Sequence, residues 1–212
     1  MKKYMASNQA LRLFFAFFIA STFYYLLISF RWTSSLLSLI GALSILLYWS
    51  VKKRYSLQFP AVLELYLAFF TFASLFLGEA FDFYYRYSYW DSALHLSSAF
   101  VVAAMGYSLV DFQTTGARAG FKSLFAFSFA MMVGVLWEFL EFSIDFFFGT
   151  NMQKFIYGNG EILAGQQALL DTMLDLMECA AGAGLLILLV LLKRKYKISL
   201  LDKFLVKKSD LL

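Results

Sequence analysis

One imidazole and a set of carboxylates are the residues of this 212-residue chain whose types and spacing suit chemistry. His95, the single histidine, follows Asp91 by four positions, a helical interval that sets both on one face. Such a pair serves as a base held by an orienting carboxylate, or as two ligands of one cation. Glu138, Glu141 and Asp145 follow i, i+3, i+7, and Asp171, Asp175 and Glu178 follow i, i+4, i+7, so each trio forms a stripe. Carboxylates that share a pocket repel each other and must share protons, pair with bases or bind a cation. Oxygen-rich ligation suits Mg²⁺, Ca²⁺ or Mn²⁺, while one imidazole among carboxylates also fits Zn²⁺ or Fe²⁺. No HExxH or paired ExxH motif is present, so a divalent cation is inferred from clustering alone. The expected ligands are Glu138, Glu141, Asp171 and Asp175, with Asp91 and His95 as the catalytic pair and Glu79, Asp145 and Glu178 around them. Ordinary readings stand beside this one: Asp145 and Asp171 as solvated helix ends, Asp91 and Asp171 as N-caps, and His95 as a structural hydrogen-bond partner. Cys179 reads as a small buried residue, and a lone cysteine excludes an intramolecular disulfide.

The elements that must hold these groups follow from composition. Hydrophobic residues make up 61% of the chain and charged residues 15%, against roughly 25% charged in soluble domains. A soluble fold of this length cannot hide so much apolar surface. The chain reads as one all-α integral membrane domain over 1–212, a polytopic helical bundle. Six apolar stretches are long enough for a ~30 Å hydrocarbon core: 11–30, 32–51, 61–78, 92–110, 123–148 and 169–192. The ~10-residue alternation of barrel strands is missing. The first stretch has 18 uncharged residues from 13 to 30, longer than the 7–15-residue apolar region of a signal peptide, and reads as an uncleaved span.

Basic residues set the orientation. Lys2, Lys3, Arg12, Lys52, Lys53, Arg54, Arg118, Lys122 and the seven of the 193–212 tail share one side; Arg31, Arg86 and Lys154 take the other. Both termini are therefore expected in the cytoplasm. The basic tail reads as a topology determinant with affinity for anionic lipid, not as a nucleic-acid site. In this topology ten of the 14 acidic residues fall on the outer half, and only Glu64, Asp111, Asp202 and Asp210 on the inner half. The three stripes overlap in depth, predicting an acidic pocket open to the outer face. Charge inside a membrane costs about 2.5–3.5 kcal/mol per residue on insertion scales, and Arg86 and Lys154 look too few and too shallow to neutralise so many acids. The 149–168 connection, with Gly149, Gly158, Gly160 and Gly165, reads as a lid or a flexible connector. Trp32, Trp90, Tyr84, Tyr85, Tyr87 and Tyr89 read as an outer aromatic belt and Trp49 as an inner one. The small residues from Ala180 to Gly184 read as a packing face.

Three blocks carry a resemblance: Trp90-Asp91-x-x-Leu94-His95, Trp137-Glu138-x-x-Glu141-Phe142, and Asp171-Thr172-x-x-Asp175-Leu176 followed by Gly182-Ala183. In this order they resemble the YjdF-type family of uncharacterised bacterial inner-membrane proteins, from Gly78-Glu79 to Gly182. A more distant similarity is to VanZ-like proteins. Glu141 stands at the Gln of their second block and Asp175 at the Asn of their third, while Glu178 replaces an Asn that the YjdF-type pattern tends to place there. The resemblance implies a bacterial cytoplasmic membrane and this helical architecture, and neither family supplies an established reaction. Three functions stay open: cation-assisted chemistry on a lipid-linked or envelope substrate; a non-catalytic envelope accessory or resistance protein binding a lipid or partner; and a cation- or proton-coupled transporter. Substrate, metal identity and oligomeric state are not legible in the sequence.

Overall fold

Apolar runs free of internal proline wind into helices, and the punctuation between them sets their ends. The computed structural model describes residues 2–28, 30, 32–114, 116–156 and 160–208. Arg31, Gly158 and Asp210, and the side chains of Lys2, Lys3, Trp32 and Lys208, lie outside the described residues. The order is α1 (Lys2–Leu27), α2 (Trp32–Arg54), β1 (Leu57–Gln58), α3 (Ala61–Thr71, running on as a π-helix over Phe72–Ala80), a single turn α4 (Phe83–Arg86), α5 (Trp90–Gln113), α6 (Ala119–Phe148), α7 (Leu170–Tyr196) and β2 (Lys207–Lys208). Among the described residues six helices are long and apolar enough to cross a membrane, α3 and its π extension counting as one. The chain divides into two compact units, one running to Trp90 and resuming at Ser199, the other covering Asp91–Ile198.

In the first unit α2 ends on Lys52, Lys53 and Arg54, cations that complement the negative end of the helix dipole. Pro60 precedes α3 with an extended backbone and so starts a helix without wasting a donor. Leu11, Phe18, Ala42, Ile45 and Ala68 form the core. The ring of Phe18 lies where a Cβ on Gly41 would come within 2.7 Å, so glycine lets α1 and α2 close up. The third span is not the uniform α-helix expected from its length. From Phe72 the winding loosens, and the Phe81 amide bonds the Phe76 carbonyl five residues back. That winding brings residues four and five apart onto one face: Phe76 stacks on Phe72 and meets Phe81, and both Phe72 and Phe76 pack on Phe17 of α1. Glu64 is fully buried, accepts a 2.6 Å hydrogen bond from the Tyr48 hydroxyl and pairs with Lys52. Removing a donor to a buried charge costs about 1.5–3 kcal/mol, so Tyr48→Phe should lower the thermal midpoint in detergent by several degrees. An unchanged midpoint would show that the hydroxyl contributes nothing.

The second unit is built on α5, α6 and α7. α6 has 30 residues, about 45 Å at 1.5 Å per residue. It stops at Gly149, whose left-handed backbone (φ +65°) lets its amide reach the Asp145 carbonyl at 2.9 Å, the usual helix exit for glycine. α7 opens with Asp171 in its first turn and closes with Lys193, Arg194 and Lys195 in its last, both favourable to its dipole.

Candidate functional site

Glycines set how closely the three helices of the second unit approach. A Cβ on Gly182 of α7 would lie 2.1 Å from the Leu96 carbonyl oxygen of α5 and 3.0 Å from the Ala99 Cβ. A Cβ on Gly134 of α6 would lie 3.0 Å from the Cys179 sulfur of α7, and one on Gly106 of α5 would lie 3.2 Å from the Ala126 backbone of α6. Small residues thus serve packing here, as expected of the 180–184 patch, although Gly184 itself faces open space. Because Leu96 adjoins His95, the Gly182 contact also fixes the height of the imidazole against α7.

The stripes converge. Asp91, His95 and Asp175 each offer a ligand atom within 4.8 Å of the others, and Glu138, Glu141 and Asp175 do the same, so Asp175 belongs to both groups. His95 Nε2 stands 3.5 Å from Asp91 Oδ1 and 3.8 Å from Asp175 Oδ2, both too long for good hydrogen bonds. On the other side of the ring Nδ1 faces the Cys179 sulfur at 3.8 Å. Glu141 accepts a 2.7 Å hydrogen bond from the Trp137 indole N–H. Glu138 is 5% exposed and Asp175 3%. Among the described residues, neither carboxylate oxygen of Glu138, nor Asp175 Oδ2, Asp171 Oδ2 or Glu178 Oε2, has a hydrogen-bond partner. The Thr172 hydroxyl and the Gln153 amide, bonded to each other at 2.9 Å, also act on Glu138 as donors, but from outside good hydrogen-bond geometry. Two carboxylate charges at 4.8 Å repel by about 3–4 kcal/mol at an effective dielectric near 20. Buried carboxylates short of good hydrogen bonds at this spacing form a set that gains from a shared proton or a cation.

The described residues of the 149–169 connection are held by hydrogen bonds and reach the acids. Asn151 bonds both the amide and the carbonyl of Ile156 at 2.9 Å, and Leu163 donates to the Phe155 carbonyl at 2.9 Å. Asp145, buried rather than solvated, accepts hydrogen bonds from the Thr150 hydroxyl and from the amides of Met152 and Gln153 at 2.7 and 2.9 Å. That carboxylate therefore anchors the connection. Lys154 follows with a left-handed backbone (φ +47°), a conformation costing a non-glycine residue about 1–2 kcal/mol. Its ammonium pairs with Asp91 and with Asp171 Oδ1 at 2.8 Å. Burial opposes the charge on Lys154, but Asp91 and Asp171 outweigh it and hold the ammonium above its ordinary range. It is a cation at neutral pH. Lys154 thus reaches two of the acids. Arg86 lies in the first unit, 3.9 Å from Asp82 and well exposed.

The other expected residues are placed as follows. Asp91 is the second residue of α5 and Asp171 the second of α7, inside their helices and not at the caps, and both are held by Lys154. Glu178 sits one turn below Asp175 with one oxygen buried. Glu79 is exposed, at the end of the π-helix in the first unit. Of the expected aromatic belt, Tyr85 and Tyr89 are exposed, Tyr84 packs on Gly78, the Trp90 ring meets Phe83, and Trp49 packs on Phe15. Lys154 and Cys179 are the neighbours that spacing does not single out. Cys179 follows Asp175 by four positions, so its place on the stripe is visible once the face is known.

No curated protein and no solved structure matches the chain. A family model does, over residues 10–196, which takes in all six helices and all three blocks; it is consistent with the YjdF-type resemblance and does not bear on VanZ-like proteins. The chain is a multi-pass membrane protein, and it belongs to the family described as "Predicted membrane protein (DUF2238)".

Proposed function

We propose that this protein, in a bacterial cytoplasmic membrane with both termini inside, binds a divalent cation on Glu138, Glu141 and Asp175 and acts on a lipid-linked or envelope substrate at the outer leaflet. The observation that carries the reading is Glu138: a buried carboxylate that makes no hydrogen bond of good geometry among the described residues, with only Thr172 and Gln153 as donors beside it, and whose ligand atom lies within 4.8 Å of those of Glu141 and Asp175. An all-oxygen set of this kind favours a hard cation such as Mg²⁺, Ca²⁺ or Mn²⁺. A cation held by these carboxylates would supply Lewis-acid polarisation of a phosphoryl or acyl oxygen of the substrate. His95 takes the proton of the attacking hydroxyl or water at Nε2, the nitrogen that faces Asp91 and Asp175, and returns it to the departing oxygen as the phosphoryl or acyl bond breaks. Asp171 holds Lys154 at the edge of the site, so the chain's own ammonium balances acids that the cation does not reach.

The Lys154 ammonium, a cation part-exposed at the site, also favours a second reading, a binding protein without turnover that holds an anionic envelope lipid. Turnover of lipid-linked phosphates by reconstituted protein separates the two.

The cation itself is tested on purified protein by equilibrium dialysis with Mn²⁺ and elemental analysis. Wild type should retain Mn²⁺ and Glu138→Gln should weaken it by about 100-fold or more, since outer-shell changes alone cost 10–100-fold. Equal retention by both chains would remove this reading.

A further inference from the structure

The trio Asp91, His95 and Asp175 is not a finished hydrogen-bonded cluster. The imidazole faces two carboxylates at 3.5 and 3.8 Å and bonds neither. Asp175 is 3% exposed, and its Oδ2, aimed at His95, has no donor among the described residues; nor does the buried Oδ2 of Asp171. Gaps of this length between ligand atoms close around an ion bound at about 2.0–2.2 Å from each. One cation is already there, the ammonium of Lys154, on Asp91 and Asp171. It pairs with those two acids and leaves His95 Nε2 and Asp175 Oδ2 without a hydrogen bond. A divalent ion in its place carries twice the charge and accepts the imidazole lone pair as well.

Lys154 is also placed to leave. It stands on a connection between helices, its side chain is 31% exposed, and its backbone is in the left-handed region. What seats it is Asp145, through Thr150 and the amides of Met152 and Gln153.

We propose that Lys154 is a tethered cation seated in a second divalent-cation position, formed by Asp91, His95, Asp171 and Asp175, and that a free divalent ion enters when this arm withdraws. The position deepens the reading above, because Asp175 is common to both ion sites. With an imidazole in the set it suits Mn²⁺, Zn²⁺ or Fe²⁺ better than Mg²⁺ or Ca²⁺. In the exchanged state Asp91 and His95 are ligands; with Lys154 seated Asp91 holds the ammonium and His95 is free to act as the base. Two ions flanking one carboxylate form the clamp used for in-line phosphoryl displacement.

Full-length protein in detergent is titrated with Mn²⁺, and bound ions are counted and examined by electron paramagnetic resonance. Lys154→Met removes the competing arm, so the second ion should bind about tenfold or more tightly and show the exchange-coupled spectrum of a bridged pair. Asp145→Ala, which loosens the arm but keeps its charge, should act in the same direction and decides the matter should Lys154→Met not fold. Adding His95→Ala to Lys154→Met should return the count to one. Wild-type stoichiometry and affinity in a folded Lys154→Met chain would overturn the proposal. One ion in every chain leaves the first site standing and removes this one. No ion in wild type but one in Lys154→Met removes the first site and keeps this one.

Discussion

Replacing Asp175 with asparagine should abolish cation binding and at the same time make the cation-free protein more resistant to heat. The two effects have one origin. Asp175 is shared by both ligand groups and is almost completely buried, so it contributes negative charge where the cation needs it and repulsion when the cation is away. Asparagine keeps the shape, removes the charge and brings an amide N–H₂ that can donate to neighbouring oxygens. Because such a cluster can relieve part of the 3–4 kcal/mol repulsion of one pair by taking up protons, a gain of about 1–2 kcal/mol is expected. For a chain of this size each kcal/mol moves the midpoint by roughly 2–4 °C. Thermal unfolding with and without Mn²⁺ gives both readouts. Wild type should be stabilised by Mn²⁺, whereas Asp175→Asn should start higher and not respond. A variant that starts lower and still responds to the ion would contradict the assignment of this carboxylate.

Two glycines of the same helix should respond to alanine in opposite directions. A methyl at Gly182 would stand 2.1 Å from the Leu96 carbonyl oxygen, which is backbone and cannot rotate away, whereas nothing lies within 4 Å of the same position at Gly184. Gly182→Ala must therefore part α5 from α7 by about 1 Å or more, which costs the 1–3 kcal/mol of overpacking or somewhat more. It also draws His95 away from Asp175 and Cys179, so weaker Mn²⁺ binding should accompany the lower midpoint. Gly184→Ala gains helix propensity of up to about 1 kcal/mol and should be neutral or stabilising with binding intact. Equal midpoints for the two variants would mean that the helices do not approach as described.

Spacing makes some of this legible and leaves the rest to the fold. Intervals of three, four and seven locate the faces of α5, α6 and α7 that carry acids, because helical geometry alone decides which residues share a side. They do not say which partner each acid meets. Glu138 and Asp145 lie on the same stripe seven residues apart, yet the first makes no hydrogen bond of good geometry and the second accepts three. The difference arises because Asp145 is in the last turn of α6, within reach of the chain as it turns back. Lys154 is out of reach of periodicity for a similar reason. Its position depends on a left-handed residue, an Asn151 bridge and an anchoring carboxylate, none of which leaves a repeating pattern. The loosened winding after Phe72 is hidden too, since an apolar run of that length fits an α-helix equally well and only its contacts with Phe17 distinguish the two.

The smallest element of the fold has a topological consequence. β1 and β2 are two residues each, yet Leu57 pairs with Lys208 and Gln58 with Lys207, and hydrogen-bonded strands must lie on one side of a bilayer. The chain between them therefore crosses an even number of times, a parity that the four long helices in that interval satisfy. A reporter fused behind the tail consequently reads out the side of the α2–α3 turn as well as its own. Any scheme in which one of those helices merely lay on the surface would have to break the ladder.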